Sequence, residues 1–154
     1  MNISLIKADL QDCEEIHKMQ VLAFKPLLDK YQDYETNPGA ETIEHIQQRM
    51  EYPSLTHFFI RLQSKNIGHI RISQHDATTC RLGQMCILPE YQGNGYAQQA
   101  IKLVETLYPM AKRWELDTIK QEQKLCHLYE KMGYKPTGEE KNIKAGMDLI
   151  YYAK

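Results

Sequence analysis

No apolar run in this sequence approaches the roughly 18 consecutive residues expected of a membrane-crossing helix, so no membrane partner is expected. Neither sign of charge is in excess: 19 Lys and Arg stand against 20 Asp and Glu, a formal net charge of -1. No global field therefore selects nucleic acid or an anionic surface, and the basic runs are only pairs such as Lys112 and Arg113. Cysteine is sparse, with four residues at 13, 80, 86 and 126 and no C-x-x-C pair, which speaks against a structural zinc site or a disulfide framework. Six scattered histidines form no H-x-x-x-H or H-E-x-x-H pair, so no metal is expected. "MNISLIKADLQDCEE" turns acidic within nine residues and lacks the charged-then-apolar pattern of a secretory signal. A cytoplasmic protein with reduced thiols is the expectation.

What is present suits a single domain over 1–154, long enough to bury about 68–70% of its unfolded surface. There is no internal repeat, low-complexity segment or linker. "ISLIKA" alternates as a strand, Asp9 reads as an N-cap, and Ile16, Met19 and Ala23 carry a helix to about Phe24. A second helix is expected at about 40–50. Three strands follow, "THFFIRL", "IGHIRISQ" and "CRLGQMCIL", separated by short polar turns. Past Pro89 the period lengthens: Ala97, Ile101 and Val104 mark a helix that Pro109 ends near Leu107. "WELDTI" is a strand; Leu125, Leu128, Tyr129 and Met132 form a helix stripe capped by Gly133. "YKPTG" and "MDLIYYA" are the last strands. The order β α α β β β α β α β β predicts an α+β (mixed α/β) fold, a mostly antiparallel sheet with helices on both faces. Strands near 147–153 are expected at an edge where a homodimer could pair.

The segment "LPEYQGNGYAQQA", residues 88–100, places glycines at 93 and 95 where a helix begins. A helix start offers unpaired N–H groups and about half a positive charge, and glycine lets a phosphate approach them without meeting a Cβ. On residue types alone a tight turn without a ligand fits equally well. A P-loop is absent because no Lys followed by a hydroxyl residue stands there, and the dinucleotide fingerprint meets Gln98 where it needs Gly or Ala.

Gln92, Gly95 and Ala97 as Q-x-x-G-x-A, followed by "LCHLYEKMGY" at 125–134, resemble the GNAT superfamily of acetyl-CoA-dependent N-acetyltransferases, whose second segment reads A-x-x-L-Y-E-K-x-G-F. The element order agrees along nearly the whole chain. The resemblance implies that Gln92, Gly93, Asn94, Gly95, Tyr96, Ala97 and Gln98 hold the pyrophosphate of acetyl-CoA. It implies that Cys86, Ile87 and Leu88 present backbone to the pantetheine arm, in a gap splayed from the strand at Trp114–Thr118. The N–H around Ile87 would then hold the oxyanion that develops as an amine attacks. Tyr129 would protonate the departing thiolate, and Glu122 stands where the family often has an Asn against pantetheine.

The chain departs from the family on the central strand, where the glutamate that many members use as a general base is replaced by Gly83 and followed by Gln84. His69, His75, Glu115 and Asp117 are the candidate bases, unranked, with proton loss to solvent as a further route. Cys86 and Cys126 read as apolar fillers, so attack in a ternary complex is expected. The acceptor wall is expected in "DKYQDYETNPGAE", where Tyr31, Asp33, Tyr34 and Glu35 would favour a small cationic amine. The competing readings are a catalytically degenerate acyl-CoA-binding sensor or interaction module of the same fold, and a nicotinamide-dependent oxidoreductase.

Overall fold

The computed structural model describes residues 1–154. The chain runs β1 (Ile3–Lys7), α1 (Cys13–Tyr31), α2 (Ile43–Met50), β2 (Leu55–Leu62), β3 (Lys65–Gln74) and β4 (Thr79–Ile87). It continues through α3 (Tyr96–Thr106), β5 (Arg113–Ile119), α4 (Gln123–Lys131), β6 (Lys135–Lys144) and β7 (Met147–Ala153). All seven strands join one mixed sheet in the order β1-β2-β3-β4-β5-β7-β6, antiparallel except where β4 meets β5. The β7 strand is therefore interior, paired with β5 on one side and β6 on the other, and the true edges are β1 and β6. This corrects the placing of 147–153 at an edge: Gly146 turns the chain back at positive φ, and the longer β6 takes the outside.

Strand alternation divides the core between the two faces. Phe58, Ile60, Ile70 and Ile72 point toward Ala100, Ile101 and Val104 of α3, in a cluster that also holds Ile87 and Tyr129. Phe59 and Cys86 point the other way, against Cys13, Ile16 and Met19 of α1 and Ile46 of α2. The α1 helix runs well past the expected Phe24. Pro26 lies on its exposed side, and the helix ends only at Gln32, whose left-handed backbone (φ 52°) donates to the Leu28 carbonyl at 2.8 Å. That extra length carries Lys30 and Tyr31 to the start of α4. No helix is long and apolar enough to cross a membrane.

Candidate active site

Although β4 and β5 run parallel, they share only three residue pairs: Thr79 with Arg113, Cys80 with Trp114 and Arg81 with Glu115. Beyond these, β5 pairs only with β7, and the two central strands part. The parting coincides with a bulge in β4: Arg71 pairs with Gln84 and Ile72 with Leu82, so Gly83 is the unpaired extra residue. A bulge bends its strand and sharpens the local twist. Leu88 N–H donates across to the Ile67 carbonyl at 2.8 Å, so by strand alternation the Ile87 N–H faces away from β3, into the gap.

At the mouth of the gap the backbone turns through Gly93 (φ +79°) and Gly95 (φ +81°), and a Cβ built on either glycine meets nothing within 4 Å. The first N–H at the start of α3 to find an acceptor within the chain is that of Gln99, which donates to Gly95 at 3.1 Å. The N–H groups from Gly93 to Gln98 are left without one, as expected of an anion cradle. Two residues expected at the phosphates brace the loop with their side chains: Gln92 Nε2 donates to the Ile87 carbonyl at 2.8 Å, and Asn94 Nδ2 to the Tyr91 carbonyl at 3.1 Å. Tyr96, Ala97 and Gln98 are half-buried in the first turn of α3.

Tyr129 lies buried on α4, its ring edge-on to Tyr134 with centroids 6.2 Å apart, in the cluster that contains Ile87. Burial, and secondarily the negative charge of Asp117, raises its phenol further above the ordinary value, so the hydroxyl keeps its proton in neutral solution. Burial likewise pushes the Cys86 thiol up to about 12, which removes it as a nucleophile. Glu122 is engaged elsewhere: it accepts from Lys30 Nζ at 2.7 Å and Tyr31 Oη at 2.5 Å, and these bonds hold its carboxyl below the ordinary value.

On the face covered by α1 and α2, the loop at 34–42 and the floor of β3 and β4 enclose a cleft of about 470 Å³. Of the expected acceptor residues, Tyr34 and Glu35 line it, while Tyr31 and Asp33 do not. Asp33 is buried, its carboxylate turned to the Thr36 hydroxyl and to the Thr36 N–H at 3.2 Å. Asp29 pairs with Lys25 at 2.9 Å. Glu41, the last residue of the expected wall segment, lines it too, and the cleft adds residues that the sequence reading did not assign: His45, Arg49 and Arg71, with Gly83 and Gln84 beneath. Glu41 accepts from Arg49 Nε at 2.7 Å and from Gln20 Nε2 at 3.1 Å, and His45 Nδ1 lies 2.7 Å from its carboxylate. Burial alone would raise its carboxyl, but the bonds from Arg49 and Gln20 outweigh that and hold it low. A Cβ on Gly83 would lie 3.1 Å from Arg71 Nε, so the guanidinium covers the place of the family's glutamate. The signal for Arg71 was its phase: His69, Arg71 and Ser73 form a polar row on a central strand that helices cover.

None of the four candidate bases lines this cleft. His75 is exposed at a turn, Glu115 pairs with Arg113 at 2.8 Å, and Asp117 pairs with Arg81. His69 is buried beneath, its Nε2 3.2 Å from His57 Nδ1. Burial holds His69 well below the ordinary range and His57 at about 4, the positive charge of Arg71 adding to both, so the pair is neutral. No group of three His, Cys, Asp or Glu side chains is arranged to hold a metal ion.

The model of the acetyltransferase (GNAT) family matches residues 15–134. Among solved structures, an acetyltransferase from Thermus thermophilus is similar at 16% identity, covering 100% of this chain and 97% of that one, with TM-score 0.78. Spermidine N-acetyltransferase from Vibrio cholerae, in complex with CoA and spermine, is 17% identical over 99% and 95% of the two chains, TM-score 0.79. RimL, a ribosomal L7/L12 alpha-N-protein acetyltransferase in complex with coenzyme A, is 18% identical over 100% and 94%, TM-score 0.77. At the level of sequence, no curated protein matches the chain.

Proposed function

The chain belongs to the acetyltransferase (GNAT) family, and from that premise we propose that it moves the acetyl group of acetyl-CoA to the primary amine of a small acceptor, by direct attack in a ternary complex. The observation that carries this reading is the run of unpaired N–H groups from Gly93 to Gln98 beside the splay of β4 from β5. It suits a pyrophosphate at the mouth and an extended arm in the gap. Cys86, Ile87 and Leu88 supply the backbone along that arm, and Glu122, tied to Lys30 and Tyr31, closes the rim. The whole of 1–154 acts as one unit in this reading, since a single sheet holds every part of the site.

The amine nitrogen bonds to the acetyl carbon, the C–S bond breaks, and the Ile87 N–H meets the negative charge that develops on the carbonyl oxygen. Tyr129 donates its proton to the departing thiolate, whose own affinity for a proton rises in the same dry gap, and the proton that the nitrogen sheds as the amide forms restores the phenol. The incoming ammonium must first lose a proton. His45, its Nδ1 held by Glu41, is the imidazole on the cleft wall, and solvent is the other acceptor. A small acceptor, cationic before it loses that proton, meets Glu35 and the ring of Tyr34 on the exposed lip.

A second reading, a degenerate acyl-CoA-binding module, is favoured by one observation: Arg71 stands over Gly83 where a carboxylate base would act. Steady-state release of CoA thiol against a panel of amines separates the two. Turnover above the rate of acetyl-CoA hydrolysis is expected, and its absence with every amine, while acetyl-CoA still stabilises the fold, would favour the binding module. Four free cysteines, three of them buried, suit a reducing cytoplasm, and the exposed β6 edge is the route open to a homodimer.

A further inference from the structure

The floor of the acceptor cleft holds more donors than acceptors. Arg71 is mostly buried on β3, and no carboxylate of the chain lies within 4.0 Å of it. Its one side-chain bond runs from Nη1 to Gln84 Oε1 at 3.4 Å. Arginine can only donate, so Gln84 must turn its oxygen to the guanidinium and leave its NH₂ facing elsewhere. Gln84 is only 8% exposed, and that Nε2 has no partner. Above them Arg49 spends its Nε on Glu41, whose carboxylate turns to Arg49, His45 and Gln20 and makes no bond to Arg71. Glu41 thus offers no pair to Arg71.

Buried donors without acceptors are costly, and a buried cation without a counter-ion more so. The missing acceptor is an anion. A planar guanidinium fork beside an amide N–H matches a carboxylate, which can take two donors on one oxygen pair. Position is fixed as well: Gln84 and Ile87 lie on one strand, three steps or roughly 10 Å apart. A carboxylate at Gln84 leaves an amine a few bonds away in reach of the gap. Burial, with the charge of Arg49 adding to it and that of the unbonded Glu41 partly opposing it, lowers Arg71 to about 10, which still leaves it charged in neutral solution.

Resting on the acetyl-transfer reading above, we propose that the acceptor is a small amine that also carries a carboxylate, as an amino acid does. Its carboxylate sits on Arg71 and the Gln84 amide, and its amine points into the β4–β5 gap toward the Ile87 N–H. The substrate is then zwitterionic: Glu35 and Tyr34 face the ammonium, and the arginine floor faces the acid. The arginine floor replaces the family's carboxylate with a binding device.

The test compares amino acids with their primary amides and with diamines of equal length, read by CoA thiol release. The free acids should exceed their amides in kcat/KM by on the order of 10- to 100-fold, the worth of a charge-assisted bond. Arg71→Gln should raise KM for the acid by a similar factor, leave KM for the amide unchanged and leave acetyl-CoA binding untouched, with Arg71→Lys recovering part of the loss. Should Arg71→Gln fail to fold, competition in the wild-type protein decides: propionate should compete with the acceptor where propionamide does not. Equal rates for acid and amide, or equal competition by the two probes, overturn the carboxylate site and leave acetyl transfer standing. Binding of propionate that depends on Arg71, without turnover of any amine, overturns acetyl transfer and keeps the site.

Discussion

The two ends of the β4–β5 gap are built from different materials. The mouth at 92–98 is made of backbone: two glycines at positive φ, N–H groups without acceptors, and side chains that only brace the turn. The cleft at the other end is made of side chains from four elements, Glu41, His45 and Arg49 against Arg71 and Gln84, locked by charge and hydrogen bonds. Backbone recognises what every acyl-CoA shares; a side-chain constellation can recognise what one acceptor has and another lacks. In the proposed reaction the common half is thus read by chain geometry and the particular half by chemistry that substitution can change.

The strongest blow to this contrast falls between the two ends, at Tyr129. Tyr129→Phe keeps the packed volume and the edge-on contact with Tyr134 and removes only the hydroxyl. Turnover at saturating substrates should fall by on the order of 10²–10⁴, the usual worth of a general acid, with little change in acetyl-CoA affinity. Unaltered turnover would leave Tyr129 a packing residue.

The mouth is tested by Gly95→Asp, which adds a negative charge where phosphate is to sit and a side chain at φ +81°. At 100 times its dissociation constant acetyl-CoA should stabilise the wild-type fold by about 2.7 kcal/mol, and the variant by nothing. A thermal-shift titration reads both, and equal shifts would remove the loop from the cofactor site.

The smallest effect belongs to the cleft framework. Glu41→Gln should cost about 1–3 kcal/mol at neutral pH, because it removes the charge that pairs with Arg49 and lies against His45. Glu41 titrates lower folded than unfolded, so this contribution is complete above the unfolded value of about 4.3 and is lost as pH falls through the folded one. Denaturant midpoints of the two proteins should therefore converge in acid, while acetyl-CoA stabilises both alike at neutral pH. A gap that stays constant with pH would mean the carboxylate is not the source.

Legibility in the sequence followed the same division. The glycine turn, the helix behind it and the order of elements along the chain are local or periodic, so spacing alone carried them. What spacing missed came from register and reach. Arg71 meets Gln84 only because the bulge at Gly83 shifts the pairing by one residue, and no alternation pattern announces such a slip. Asp33 reads as an exposed acid until Thr36 turns it inward. Glu122 is drawn to Lys30 and Tyr31 because α1 runs on through Pro26, a residue that ordinarily marks a helix end.

The three-pair ladder between β4 and β5 has a consequence for how the protein behaves in storage and in a crowded solution. Past Arg81 and Glu115 the two strands are unpaired toward each other, so the sheet carries an edge in its interior as well as at β1 and β6. A strand edge invites any extended chain to add to it, including one from another molecule. In the proposed function an acyl-CoA arm lying in the seam takes the place of that intruding strand. The co-substrate would then also guard against self-association, and a preparation stripped of it would carry an open seam.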